Sequence, residues 1–316
     1  MRSRTLTLLA ALTTAAGSAV VAAPVAQAGG YAAPSFVFTS DRDGDAEIFV
    51  RRTDGSTVQL THNRVHDFGA SWSPDGQKIA FSRSSGDGTA LFVMRADGSS
   101  VRRVTTPVTN PDGIASSDFV PAWSPSGTQL AFASNRAGGE PDIWRVDLDG
   151  THLTRLTRTP VFTGDFNPTW SPDGRWIWFD SDRVGVFNRE IYRMRPDGTD
   201  VRRMTTTADV DDGAPDVSPD GRTVVFTSMR ANGGQDLFTM KADGTGVRPL
   251  GTPTADRDEV FPAWNATGTR VLYWRFSSID EPTEDIWVID ADGTDRRRLT
   301  GGSANNSEPD PYPVPR

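Results

Sequence analysis

Beyond residue 35 the chain reads as short apolar runs separated by turn residues. Ile79-Ala80-Phe81, Leu130-Ala131-Phe132, Ile177-Trp178-Phe179, Val224-Val225-Phe226 and Val271-Leu272-Tyr273 are each followed by a second run. Asp142-Ile143-Trp144-Arg145-Val146 and Glu190-Ile191-Tyr192-Arg193-Met194 show its alternating character. Alternation over about four to seven residues, with Asp-Gly or Pro-Asp-Gly between runs, predicts strands joined by tight hairpins. Glycine supplies the positive φ that such turns need. No stretch beyond the N-terminal region keeps a helical period, so an all-β fold is expected.

The runs recur with a fixed period. Trp72-Ser73-Pro74-Asp75-Gly76 and Trp170-Ser171-Pro172-Asp173-Gly174 are the full motif. Variants start at Trp123, Val217 and Trp264, so the lead positions are spaced by 51, 47, 47 and 47 residues. A unit of about 47 residues with four short strands is the size of one propeller blade. Asp-Gly turns at Asp54, Asp97, Asp149, Asp197, Asp243 and Asp292 mark six units, yet the first begins midway, at Phe36-Val37-Phe38. The repeat proline at Pro121, Pro168, Pro215 and Pro262 continues to Pro309 at the same step. The expectation is a six-bladed β-propeller over 36–316, whose C-terminal strand completes the first blade. Closing the ring in this way removes free sheet edges. Trp72, Trp123, Trp170 and Trp264 are expected as core wedges between blades.

Composition then narrows the setting. The 316-residue chain has no cysteine, which excludes disulfides, thiolate metal sites, a cysteine nucleophile and a cysteine-borne lipid anchor. A net charge of −8 excludes the basic stripe of a nucleic-acid binder. Arg2 and Arg4 precede an apolar, alanine-rich stretch, and Ala26-Gln27-Ala28 fits the small-x-small cleavage rule. Residues 1–28 are therefore read as a signal peptide and 29–35 as a short linker. The mature protein is expected to be secreted or held in the cell envelope, monomeric, and without a transmembrane segment or lipid anchor.

The Trp-Ser-Pro-Asp-Gly units resemble the WD40-like PD40 repeats of the TolB propeller family over nearly all of the chain beyond the signal. The resemblance implies a six-bladed propeller. It implies less about function, because related propellers serve in the Tol-Pal protein TolB, as accessory domains of prolyl oligopeptidases and dipeptidyl peptidases, and in some polysaccharide lyases. Few residues separate the signal from the first strand, so the expectation is a propeller without TolB's N-terminal α/β domain.

By analogy with propeller blades, the strand entering each Trp-Ser-Pro motif is innermost. Five residues before the lead position lie Asp67, Asp118, Asp165, Asp212 and Glu259, with Asn306 at the same offset in the closing strand. They are expected to gather at one mouth of the channel. There they would hold a basic or N-terminal peptide segment, or a hard cation such as Ca²⁺ at Asp118, Asp165 and Asp212. Alternatively, each caps the turn before its strand. On the ligand reading, exchanging Asp118, Asp165 and Asp212 together for asparagine leaves the fold intact and weakens binding. Phe68, Phe119, Phe166 and Phe261 either rim that mouth or pack between blades. Arg42, Arg83, Arg136, Arg183 and Arg230 are read as structural partners of Glu47, Asp142, Glu190, Asp236 and Asp285 across the central hairpin.

The catalytic inventory is thin. His62, His66 and His152 sit in loops or turns, and no nucleophile elbow, His-Glu-x-x-His helix or phosphate-binding loop occurs. A protein- or peptide-binding scaffold is thus favoured, with an envelope polymer as the other partner considered. The alternative is a carbohydrate-active lyase or hydrolase using channel carboxylates, with Ca²⁺ as its one candidate cofactor. A pocket of repeat-breaking residues with a raised carboxylate pKa would favour that alternative. Two stretches break the repeat, 106–117 and the acidic 280–285.

Overall fold

A computed structural model describes residues 34–160, 162–185, 188–207, 209–231, 234–254, 257–276 and 284–313. The expected signal peptide, residues 29–33 of the linker and residues 280–283 of the acidic stretch lie outside them. The described residues form six four-stranded antiparallel sheets arranged as a propeller, with no helix. In five blades the strands follow chain order from the inner edge outward, as in Asp67–Trp72, Lys78–Ser85, Gly88–Arg95 and Arg102–Arg103. In blade 1 the inner strand is Asn306–Pro311, paired antiparallel with Pro34–Ser40. The ring therefore closes as the repeat proline indicates.

The hairpin motif folds for local reasons. Asp75 Oδ1 accepts from Ser73 Oγ (2.6 Å) and from the Gln77 N–H (3.0 Å), while Ser73 Oγ accepts from the Lys78 N–H (2.9 Å). Gly76 closes the turn at φ 65° and is doubly required. A Cβ there would lie 2.6 Å from the Tyr312 hydroxyl, which the closing strand brings in.

The core lies between blades. Ala80, Leu91 and Val93 of blade 2 pack with Trp123, Leu130, Phe132 and Val146 of blade 3, and each interface repeats the scheme. Trp72, Trp123 and Trp264 are buried and Trp170 half-buried, each packed against such a cluster. The 106–117 insertion folds back on itself, the Asn110 N–H bonding to Ile114 O (2.9 Å).

Every inner strand carries a β-bulge. Register shifts between Phe68 and Ser71, and at the matching place in blades 3 to 6 and the closing pair. One residue per bulge has positive φ: Gly69, Val120, Asn167, Ala214, Phe261 and Glu308, between 48° and 62°. For the five that are not glycine this is a costly conformation, repeated around the ring. A bulge adds one residue and so reverses the strict inward-outward alternation.

Candidate functional site

The bulges decide which side chains see the channel. Positions before them turn into the blade, and positions at and after them face the lumen. Asp67, Asp118, Asp165, Asp212, Glu259 and Asn306 are all fully buried. Asp67 takes two bonds from Arg83 (2.6 and 2.7 Å) and Asp165 two from Arg183 (2.7 and 2.8 Å). Asp118 is bound by Arg136 and Asp212 by Arg230. Glu259 lies between Arg296 (3.3 Å) and Arg275 (3.6 Å). In blade 1, Arg42 donates to Asn306 Oδ1 at 2.7 Å. Each guanidinium also lies over aromatic rings, as Arg183 does over Phe179 (5.4 Å) and Tyr192 (4.7 Å). An acid, an arginine and an aromatic pair thus form one staple in each of blades 2 to 5, with Asn306 in the acid's place in blade 1.

This corrects the expected arginine pairings. Arg83, Arg136, Arg183 and Arg230 bond to the first-strand acid, and Arg42 to Asn306, not to the acid opening the third strand. The first-strand acid faces the end of the second strand directly, as the register of Asp67 with Arg83 shows. The third-strand acids find partners farther out. Arg155 binds Asp142, Arg203 binds Glu190 and Arg298 binds Asp285. Glu47 accepts from Asn63, and Asp236 from the Thr254 N–H (2.8 Å). The three fourth-strand arginines went unread because only the folded blade brings them alongside.

Asp118, Asp165 and Asp212 stay in separate blades. Among the described residues, the grouping of three acids with ligand atoms within 4.8 Å is Asp43, Asp45 and Glu47, in the turn of blade 1. Phe119 packs between blades and Phe166 lies under Arg189 (4.2 Å). Phe68 is half-buried, and Phe261 stacks on Trp274 at 5.8 Å. His66 accepts from the Ala46 N–H, His152 pairs with Asp147 on the surface, and His62 is exposed.

The channel itself is a cavity of about 150 Å³ enclosed by all six inner strands. Its distinctive residues are the carboxylates Asp216 and Asp310, at the lumen position held elsewhere by Ser71, Ala122, Thr169 and Ala263, and Glu308, at the bulge position held elsewhere by Gly69, Val120, Asn167, Ala214 and Phe261. Asp216 accepts from the Trp264 N–H (2.7 Å) and Thr169 Oγ1 (3.2 Å). Asp310 accepts from the Trp72 N–H (2.6 Å), and Glu308 from the Gly69 N–H (2.8 Å) and Thr39 Oγ1 (3.0 Å). None of the three forms an ion pair among the described residues. Burial pushes Asp216 up to about 6. Burial, reinforced by the charge of Asp216, pushes Asp310 up to about 7. Burial also raises Glu308. These acids break the repeat, which is the signal that would have marked them; attention to the repeated acids passed them over.

Those values fix a pH dependence. The unfolded chain releases the Asp310 proton near 3.8, the folded ring only near 7. Between these values the unfolded state holds fewer protons, so stability falls as pH rises and the loss is complete above about 7. Asp310→Asn keeps an acceptor for the Trp72 N–H but removes the charge. Its melting temperature should exceed that of the wild type by a few degrees near pH 8 and match it near pH 4. An equal difference at both pH values would refute the assignment.

On the Trp-Ser-Pro face the channel opens into a funnel of about 590 Å³ walled by Pro74, Pro125, Pro172, Pro219, Trp123 and Trp170 among others. A narrow acidic bore thus lies beyond a wide, mostly apolar mouth.

The family model of the TolB β-propeller domain, PD40, matches residues 106–310. The chain belongs to this family. TolB of Anaeromyxobacter dehalogenans, a Tol-Pal system protein, is 40% identical over 68 residues, 22% of this chain and 16% of that one. TolB from Acinetobacter baumannii superposes with a TM-score of 0.73 at 21% identity, over 89% of this chain and 66% of that one. An oligogalacturonate lyase from Vibrio parahaemolyticus does so at 0.58 and 15% identity, over 84% and 74%. At such identities the TolB and lyase structures share the fold alone. The matched stretches span about a third or less of the curated relatives' length. No helix of the described residues is long and apolar enough to cross a membrane.

Proposed function

We propose that this TolB-family ring is an exported protein-binding module that takes a basic side chain or amino terminus of its partner into the channel. The observation that carries this is the trio Asp216, Glu308 and Asp310, three carboxylates around one bore with no ion pair to any of them among the described residues. A lysine or an N-terminal amine would relieve their mutual repulsion and their burial cost together. The apolar funnel offers the partner's flanking residues a surface. A partner protein accords with the naming of relatives as Tol-Pal system proteins. Export rests on the N-terminal arginines, the apolar stretch and the Ala-Gln-Ala site.

A second reading has one observation in its favour. Carboxylates near 6 and 7 are poised for acid–base work at neutral pH, as a lyase or hydrolase needs. The size of the bore supports the first reading instead: about 150 Å³ is below the ~300 Å³ at which small-molecule sites begin.

The test is capture from envelope extract on immobilised wild-type protein and on the Asp216→Asn, Glu308→Gln, Asp310→Asn triple variant. At least one protein should be retained by the wild type and released by the variant. Identical captured sets on both would remove the channel from the binding site.

A further inference from the structure

The bore is layered, and its layers discriminate among cations. Three residues of each inner strand line it, from the bulge to the residue before the lead position. In the layer next to the funnel, Asp216 and Asp310 stand with Ser71, Ala122, Thr169 and Ala263. In the middle layer five of the six residues are proline, with Ala70 as the sixth, and proline carries no N–H. In the far layer Glu308 stands with Gly69, Val120, Asn167, Ala214 and Phe261. Among the described residues, no arginine or lysine lines the bore. Blade 4, opposite blade 1 in the ring, shows a buried acid that is already matched. Its Asp180 accepts from the Ala214 N–H (3.0 Å) and Asn167 Nδ2 (2.9 Å) and lies 3.7 Å from Arg189. The unmatched charge of the lumen thus belongs to blades 1 and 5.

Shape separates the basic groups a partner could offer. Three strand residues span about 7 Å, so a cavity of about 150 Å³ is a tube roughly 5 Å across. A single file of methylenes fits such a tube in van der Waals contact, at carbon separations of about 3.5–4 Å. An amino terminus is wider, because the carbon next to its nitrogen carries the peptide carbonyl and, except in glycine, a side chain. A guanidinium is wider too, and its planar fork of donors seeks paired oxygens. Asp216, Asp310 and Glu308 each already spend one oxygen on a backbone N–H, of Trp264, Trp72 and Gly69 respectively. Single oxygens on three separate carboxylates suit a point charge with three rotatable donors, as on a lysine. Reach agrees with shape. A four-carbon stem carries its ammonium about 6 Å from the backbone. With the partner's main chain in the funnel, that length ends near the layer of Asp216 and Asp310, and Glu308 adds its charge two residues deeper.

We infer that the bore selects a primary ammonium on an unbranched alkyl chain, and that a lysine side chain of the partner supplies it, entering from the funnel. The inference rests on the reading of the channel as the partner's anchoring point. It excludes the partner's amino terminus and its arginines as the anchor, and it places apolar residues beside that lysine to meet the funnel. A free alkyl diamine shares the same chemistry and is told apart by experiment.

The ¹⁵N-labelled protein is titrated at pH 7 with Nα-acetyl-lysine methylamide, alanine methylamide, Nα-acetyl-arginine methylamide and cadaverine, all cations at that pH. The Trp72 and Trp264 amide resonances report the bore, because their N–H groups end on Asp310 and Asp216. The lysine probe should shift both with a dissociation constant in the millimolar range, and the alanine and arginine probes should bind at least about tenfold more weakly. The Asp216→Asn, Glu308→Gln, Asp310→Asn variant should lose the response. If that variant fails to fold, the ranking of probes on the wild type still decides. Equal or tighter binding of the alanine or arginine probe would overturn the lysine assignment while leaving a basic anchor in the bore. Cadaverine bound more than about tenfold tighter than the lysine probe would overturn it in favour of a free diamine. No shift of either amide with any probe at roughly 10 mM would overturn it together with the anchoring role of the channel.

Discussion

Replacing Asp118 by asparagine is expected to destabilise the ring by about 3–5 kcal/mol, a fall in melting temperature on the order of 10 °C. Asp118 is fully buried and the Arg136 side chain is only 6% exposed. The guanidinium lies over Phe132 (5.9 Å) and Trp144 (5.5 Å), and Ser134 Oγ also donates to Asp118. Asparagine fits the space but leaves an uncompensated charge inside the blade. The triple exchange of Asp118, Asp165 and Asp212 should therefore unfold the protein at ambient temperature, not spare it. Blade 1 provides the internal comparison, because Asn306 already stands opposite Arg42. That pairing is tolerated because Arg42 is exposed, with Asp41 and Asp43 nearby. Asn306 Nδ2 also donates to Ala304 O (3.0 Å) and Asp285 Oδ1 (3.4 Å), so Asn306→Asp, which loses these bonds and faces a second carboxylate, should lower the melting temperature slightly while Asp118→Asn lowers it greatly. Thermal melting of the two variants beside the wild type decides it. Equal small shifts would show that the acid–arginine staples are incidental.

The blade count and ring closure were legible because both rest on local, repeated chemistry. Ser-Pro-Asp-Gly specifies its hairpin through contacts within five residues, so 47-residue spacing translates directly into blades. The misplacement of the acids has an equally local cause. Strict alternation places Asp67, Gly69 and Ser71 on one side of a strand, and an Asp read as lumen-facing follows. The bulge at Gly69, repeated at Val120, Asn167, Ala214, Phe261 and Glu308, shifts the phase. Residues of such varied character at one position give no pattern from which to read a bulge. The arginine partners were obscure for a different reason. Arg83 lies sixteen residues from Asp67, whereas Arg136 lies eighteen from Asp118. The staple is conserved in space around the ring while its sequence offset is not.

Deleting residues 305–316 should abolish the cooperative transition and produce soluble aggregates on size exclusion. This is the largest effect expected of any change to the ring. The closing strand does more than fill a gap. It pairs with Pro34–Ser40 from Asn306 to Pro311, and Asp41 clamps its start through the Asn305 N–H (2.8 Å) and Nδ2 (2.7 Å). Tyr312 meets Trp72 edge-on at 4.9 Å, and Asp310 bonds the Trp72 backbone, so the strand joins blade 1 to blade 2 as well. Without it, the inner edge of the Pro34–Ser40 strand loses its partner. Phe36 and Phe38, now buried against Leu272 and Ile286, lose much of their cover. An apolar strand edge of that kind pairs with whatever chain is available. The same geometry predicts rescue. A synthetic peptide of residues 304–316, added during refolding of the truncated chain, should restore a monomeric ring by strand addition. Its Asp310→Ala form, which cannot accept from the Trp72 N–H, should do so less well. A truncated chain that stays monomeric with an unchanged melting temperature would show that the interfaces between blades hold the ring without its closing strand.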